Sequence, residues 1–79
     1  METRYASVAR RLAEGISTGE YPVGTVLPTE FRLAEQFGVS RATVRSALRE
    51  LQQLGLVSRR RNTGTRVEAA RAQRHQGSP

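Results

Sequence analysis

The sequence predicts a small, mostly α-helical domain in which three helices precede a β-hairpin. Three observations predict it. Apolar residues recur at helical spacing over 4–17, 29–37 and 40–54. Gly19, Gly38 and Gly55 close those three windows, as residues that accept a left-handed backbone without a Cβ penalty. Beyond Gly55 the pattern changes to two short β-prone runs around Asn62-Thr63-Gly64, which is hairpin turn chemistry. At 79 residues the chain is one domain, with room for a modest core and none for a roomy substrate pocket.

The first helix is expected over Arg4 to about Ser17. Tyr5, Val8, Ala9, Leu12 and Ile16 share a stripe that reads as core, with Arg10, Arg11 and Glu14 outward. Tyr21-Pro22-Val23-Gly24 is a turn. Val26 and Leu27 are short and β-prone, suited to one bridge to a later sheet. Thr29, directly after Pro28, is the N-cap of the second helix, and Leu33, Ala34 and Phe37 fall on its inner side. Ser40 caps the third, with Val39 and Val44 placed to form a hydrophobic staple. Val44, Ala47, Leu48, Leu51 and Leu54 must face a core, while Arg41, Arg45 and Arg49 recur every fourth residue on another face. Two helices joined by a tight Gly-containing turn make a helix-turn-helix.

The hairpin is expected from Leu56–Arg61 and Thr65–Glu68, with Val57 and Val67 inward and Arg59, Arg60 and Arg61 along the ribbon. Added to the helices, it gives a winged helix-turn-helix over residues 1–68. The remainder, 69–79, is Ala-, Arg- and Gln-rich and ends in Gly-Ser-Pro. It reads as a flexible tail or as the start of a linker to a further effector domain; an excised domain and a stand-alone small regulator both stay open.

Charge points to a partner. All thirteen basic residues are arginine and all seven acids are glutamate. Residues 1–31 hold three Arg and four Glu, net −1, whereas 32–79 hold ten Arg and three Glu, net +7. A cationic excess gathered around one helix and one hairpin favours a polyanion over a merely solvated surface. Other classes fall away. With no cysteine there is no disulfide framework or thiolate metal site. No apolar run approaches the roughly 20 residues of a membrane span, and no signal peptide is seen, so a cytoplasmic, nucleoid-associated protein is expected. The single His75 lies in the tail without a Cys, Asp or second His beside it. No catalytic residue, metal or cofactor is expected, and the chain is read as a non-enzyme.

The run G-x-x-L-P-T-E…L-A-x-x-F-G-V-S-R-A-T-V-R-x-A-L-x-x-L-x-x-x-G-L-V…T-G-T-x-V resembles the N-terminal DNA-binding domain of the GntR family of bacterial transcription regulators. It covers roughly Tyr5 to Val67, and its S-R-A-T-V-R-S-A-L segment is the most specific part. The resemblance implies sequence-specific binding of a double-stranded DNA operator by a regulator, expected to be a repressor. The recognition helix, about 40–54, would enter the major groove and the wing, about 57–68, the minor groove. It further implies DNA contacts by Arg41, Thr43 and Arg45, and in whole family members a C-terminal domain that binds an effector and dimerises. No effector site is expected within this chain, and two copies are expected on an inverted repeat.

The chemistry of the residues fits that reading. Arginine donates bidentately to guanine O6 and N7, worth roughly 1–3 kcal/mol of discrimination. Arg41 is assigned a base edge, and Arg45 a base or a phosphate. Ser40, Ala42 and Thr43 sit at a helix N-terminus, where hydroxyls and free N–H groups meet phosphate oxygens. Thr29 and Arg32 are assigned to the same surface. Arg60 and Arg61 would follow the backbone, with Asn62, Thr63 and Gly64 small enough to approach the minor groove. Arg49, Arg59 and Arg66 divide evenly between DNA contact and solvated surface. Two departures from the family pattern stand out. Phe31 replaces an arginine that contacts DNA, and the wing tip has Asn62 where glycine is usual. Fully burying a Phe side chain stabilises by roughly 1.5–3 kcal/mol. Phe31 is therefore expected to be at least partly buried, turning inward with Leu27 and leaving Arg32 for phosphate, rather than to lie against sugar and a thymine methyl. A rival reading is a winged-helix module for double-stranded RNA or a protein.

Overall fold

The computed structural model describes residues 3–61 and 64–71. Its order is α1 (Arg4–Thr18), α2 (Glu30–Phe37), α3 (Arg41–Gln53), β1 (Val57–Arg60) and β2 (Gly64–Val67). Each helix begins at a hydroxyl cap. Thr3, Thr29 and Ser40 accept from the N–H groups of Ala6, Arg32 and Thr43 at 3.1, 3.2 and 3.1 Å, satisfying donors that have no partner inside the helix. Two of the helix ends turn on left-handed glycines, Gly19 (φ 90°) and Gly38 (φ 66°). α3 ends one step differently: Leu54 is the cap, and Gly55, at φ 78°, returns the chain so that Leu56 N–H reaches Leu51 O at 3.0 Å.

α3 lies at the centre, packed against α1, α2 and β1. Val44, Ala47, Leu48 and Leu51 are at most 1% exposed, and Leu12 and Ile16 of α1 and Leu33 of α2 close over them. At about 25 cal/mol per Å² of apolar surface removed from water, this seam is the main stabilising term. Val39 and Leu54 are half-buried against the same cluster. Phe37 is half-buried too, and Arg11 of α1 lies over its ring at 5.6 Å from the centroid. A cation–π contact at an exposed site is worth about 0.5–1 kcal/mol.

The hairpin is antiparallel, with Val57 opposite Val67, Ser58 opposite Arg66, Arg59 opposite Thr65 and Arg60 opposite Gly64. Val57, Thr65 and Val67 face the core. Segment 24–27 runs along the free side of β2. The N–H groups of Gly24 and Leu27 donate to the carbonyls of Val67 and Thr65, and that of Val67 donates to Thr25 O, all at 2.8 Å. Val26 forms the expected single bridge, opposite Arg66. The wing is thus sewn to the connection between α1 and α2.

The structure corrects three expectations. Tyr5 is not core: it stands 38% exposed over a shallow cleft that it shares with the polar residues Ser46, Arg49, Glu50 and Gln53 of α3. Phe31 is not buried: it is 57% exposed. Two residues before Leu33 is about 200° around a helix, away from the inner stripe. The strands also start and stop one residue from their expected ends. Leu56 spends its N–H on the end of α3, while Gly64 pairs with Arg60 and belongs to β2 rather than to the turn. Asn62, Thr63 and His75, and the tail from residue 72, lie outside the described residues.

One mid-helix glycine has a packing reason. Gly15 is buried in α1, and a Cβ there would meet the Tyr21 ring at 2.7 Å. Elsewhere in a helix Gly→Ala gains up to about 1 kcal/mol; overpacking costs about 1–3 kcal/mol. Gly15→Ala is therefore expected to lower the thermal unfolding midpoint, read by circular dichroism, whereas an unchanged or higher midpoint would show that the Tyr21 ring yields freely.

Candidate nucleic-acid interface

The N-terminus of α2, the start of α3 and the wing meet around a cleft of about 440 Å³. Thr29, Glu30 and Phe31 line it from α2 and its cap, Arg41 from α3, and Arg59, Arg60, Arg61, Gly64 and Thr65 from the wing, with Val26, Leu27 and Pro28 completing the lining. The caps described above are what aim these elements. Ser40 fixes the first turn of α3 by accepting from Thr43 N–H, and its hydroxyl also pairs with that of Thr43 at 3.0 Å. Arg41 and Ala42, the next two residues, are exposed. Their N–H groups precede the first intrahelical donors and sit at the positive end of the helix dipole.

Glu30 holds the three elements together electrostatically. Its carboxylate accepts from Arg45 Nη2 at 3.2 Å through Oε1 and from Arg59 Nη2 at 3.0 Å through Oε2. One carboxylate thereby links α2, the outward face of α3 and β1. Its place in the first turn of α2 is also favourable against the helix dipole. Glu30 is 23% exposed, but Arg45 is 48% and Arg59 39% exposed, so solvent screens both pairs and each stabilises by at most about 1 kcal/mol. Their larger effect is on orientation.

The outer face of the wing has its own acid. Ser58 Oγ donates to Glu68 Oε2 at 2.6 Å, and Arg60 Nη2 lies 3.7 Å from the same oxygen. The Ser58 hydrogen bond, seconded by the charges of Arg66 and Arg60, holds the Glu68 carboxyl below its ordinary value of 4.5 despite partial desolvation. A depressed folded-state value means that this link is complete above pH 4.5 and is lost as pH falls through the lower folded value.

Of the residues singled out from sequence, Thr29, Arg41, Arg60, Arg61 and Gly64 share the cleft. Ser40, Ala42 and Thr43 form the first turn of α3 beside it, and Arg45 joins it through Glu30. Arg32 does not: it lies on a neighbouring surface with Pro28, Glu35 and Gln36. Asn62 and Thr63 fall outside the described residues. Glu30 as a three-element link is not visible in the sequence, since its partners stand 15 and 29 residues away. Among the described residues no three His, Cys, Asp or Glu side chains gather as a metal site, and no helix is long and apolar enough to cross a membrane.

Comparison with known proteins agrees with this architecture. Residues 4–67 match the model of the bacterial regulatory proteins of the gntR family. The chain is 52% identical over 60 residues to the uncharacterized HTH-type transcriptional regulator YieP of Escherichia coli (strain K12), covering 76% of this chain and 26% of that protein. It is 43% identical over 67 residues to MngR, the mannosyl-D-glycerate transport/metabolism system repressor of the same strain, covering 85% and 28%. The chain thus spans about a quarter of the length of the curated relatives it matches. The crystal structure of the AraR DNA-binding domain in complex with operator ORE1 superposes with a TM-score of 0.81 at 37% identity, covering 85% of this chain and 82% of that one. Three capped helices, a hairpin wing and a matching sequence from Arg4 to Val67 place the chain in the gntR family of bacterial regulatory proteins.

Proposed function

We propose that this domain binds a double-stranded DNA operator sequence-specifically as the DNA-binding part of a transcription regulator, acting as a repressor without catalysis of its own, in the cytoplasm. The observation that carries it is the convergence of Arg41, Arg59, Arg60 and Arg61 from α3 and the wing on one cleft, in a fold whose solved relative AraR was crystallised on operator DNA. Repressors among the relatives, MngR and the fructoselysine utilization operon repressor, support the direction of regulation. Residues 1–68 act as the DNA-binding unit, and 69–79 as a tail or the start of a linker.

In this reading α3 enters the major groove by its N-terminus. Arg41 donates bidentately to a guanine edge. Ser40, Ala42 and Thr43 meet a phosphate, with the backbone N–H groups of the first turn aimed at it. Arg45 reaches a base or phosphate from the position that Glu30 gives it. Thr29 and Arg32 contact the flanking backbone, and Arg60, Arg61 and the turn Asn62-Thr63-Gly64 carry the wing to the minor groove. A single module buries on the order of 600–1,000 Å² on DNA and binds weakly alone, so two copies occupy an inverted repeat. Selection of bound sequences from a random DNA pool tests the whole reading: an enriched inverted repeat is expected, and a pool that stays random would overturn it.

The two arginine classes are expected to separate. Arg41→Ala costs about 1–3 kcal/mol on the selected operator and flattens preference at one base position. Arg60→Ala weakens operator and random DNA alike and lowers the salt slope by about one unit. Equal losses on random DNA from both changes would remove the base-reading role of Arg41.

Glu30 gives a third outcome. Glu30→Gln removes a negative charge from the cleft and releases Arg45 and Arg59. Titrations on both DNA classes are expected to show tighter binding of random DNA and a several-fold lower ratio of operator to random affinity. A ratio that stays at the wild-type value would mean that Arg45 needs no support from α2.

A further inference from the structure

Phe31 and Val26 leave large apolar surfaces in water, 57% and 51% exposed. A single exposed apolar residue is ordinary on a protein surface. These two line one cleft, however, whose charged lining is Arg41, Arg59, Arg60 and Arg61 against the single carboxylate of Glu30. Phe31 also borders a second shallow depression on its other side, again together with Arg41. It therefore stands beside the first residue of α3, between two hollows, with four arginines lining one of them. An apolar ring framed by guanidinium groups suits a polyanion that also displays an apolar group. In a DNA duplex the apolar group exposed in the major groove is the 5-methyl of thymine.

Resting on the DNA-binding reading above, we propose that Phe31 is a specificity-determining residue that packs on a thymine methyl in the half-site contacted by Arg41. Arg59, Arg60 and Arg61 supply attraction to phosphate and hold the duplex against the ring. Phe31 then distinguishes thymine from cytosine by the methyl that contact with the ring removes from water. Because the ring is already exposed in the free domain, no core contact must break for it to reach the groove.

The test removes only the methyl. In the operator obtained from the random pool, each dT is replaced in turn by dU, and affinities are measured for the wild type and for Phe31→Ala. At one position in each half-site the wild type is expected to lose about three- to tenfold on dU, while Phe31→Ala loses nothing further there. Phe31→Leu, which keeps apolar bulk, retains part of the wild-type penalty. Thermal unfolding of both variants is expected to match the wild type, since the ring is outside the core. Wild-type indifference to dU at every position overturns the role of Phe31 while leaving operator binding standing, as does a dU penalty that persists in Phe31→Ala. If the wild type enriches no sequence from the pool, the DNA-binding reading and the role of Phe31 fall together.

Discussion

Everything in this small fold depends on the packing of one face of α3. Val44, Ala47, Leu48 and Leu51 leave almost no surface in water, and α1 and α2 are arranged so as to cover them. A helix so fixed cannot rotate about its own axis without exposing several buried side chains, each worth about 1.5–3 kcal/mol. The flanking face, with Arg41, Arg45 and Arg49, is therefore presented at a set angle. Core formation and ligand presentation are two consequences of one amphipathic pattern. For a domain of this size, whose total stability is on the order of 5–15 kcal/mol, that sharing leaves little core to spare.

Hydrophobic packing fixes the axis of α3, but long arginine side chains retain their own freedom. Glu30 limits it. By accepting from Arg45 and Arg59 at once, it confines two flexible cations that would otherwise lose about 2 kcal/mol of rotamer entropy each on becoming ordered. The exposed character of both pairs means that the carboxylate adds little to folding. Its energetic importance lies in what it saves later, when a partner must find those guanidinium groups in place. The Ser58–Glu68–Arg60 link on the outer face of the wing has the same logic, with a hydroxyl in place of one arginine.

Most of the fold was legible in the sequence because nearly every element carries its own punctuation. Thr29, Gly38 and Ser40 mark ends by side-chain chemistry alone, and the apolar period of α3 identifies its buried face without reference to anything else. The failures have a common origin. Periodicity tells which residues of a helix share an apolar face, but not which of them a neighbouring element covers, and Tyr5 stays in water beside the polar residues Ser46, Arg49 and Gln53 of α3. Apolar area alone favours burial of Phe31, but its angular position on α2, about 200° from Leu33, keeps it from the core. Strand ends slipped by one residue because the amide of Leu56 serves the helix before it. Glu30 could not be found from sequence for a simpler reason: an ion pair between residues 30 and 59 exists only once the chain has folded.

The segment 24–27 along β2 has a consequence for the behaviour of the protein in concentrated solution. With that segment on one side of β2 and β1 on the other, β1 is left as the open border of the sheet among the described residues. An open border can recruit the border of another molecule and start a growing stack of chains. Here it is only four residues long and carries Arg59 and Arg60, whose mutual repulsion between molecules opposes such stacking. The cationic wing is thereby a safeguard of solubility as well as the proposed recognition surface. A variant that trades those arginines for apolar residues would then give up colloidal stability along with affinity.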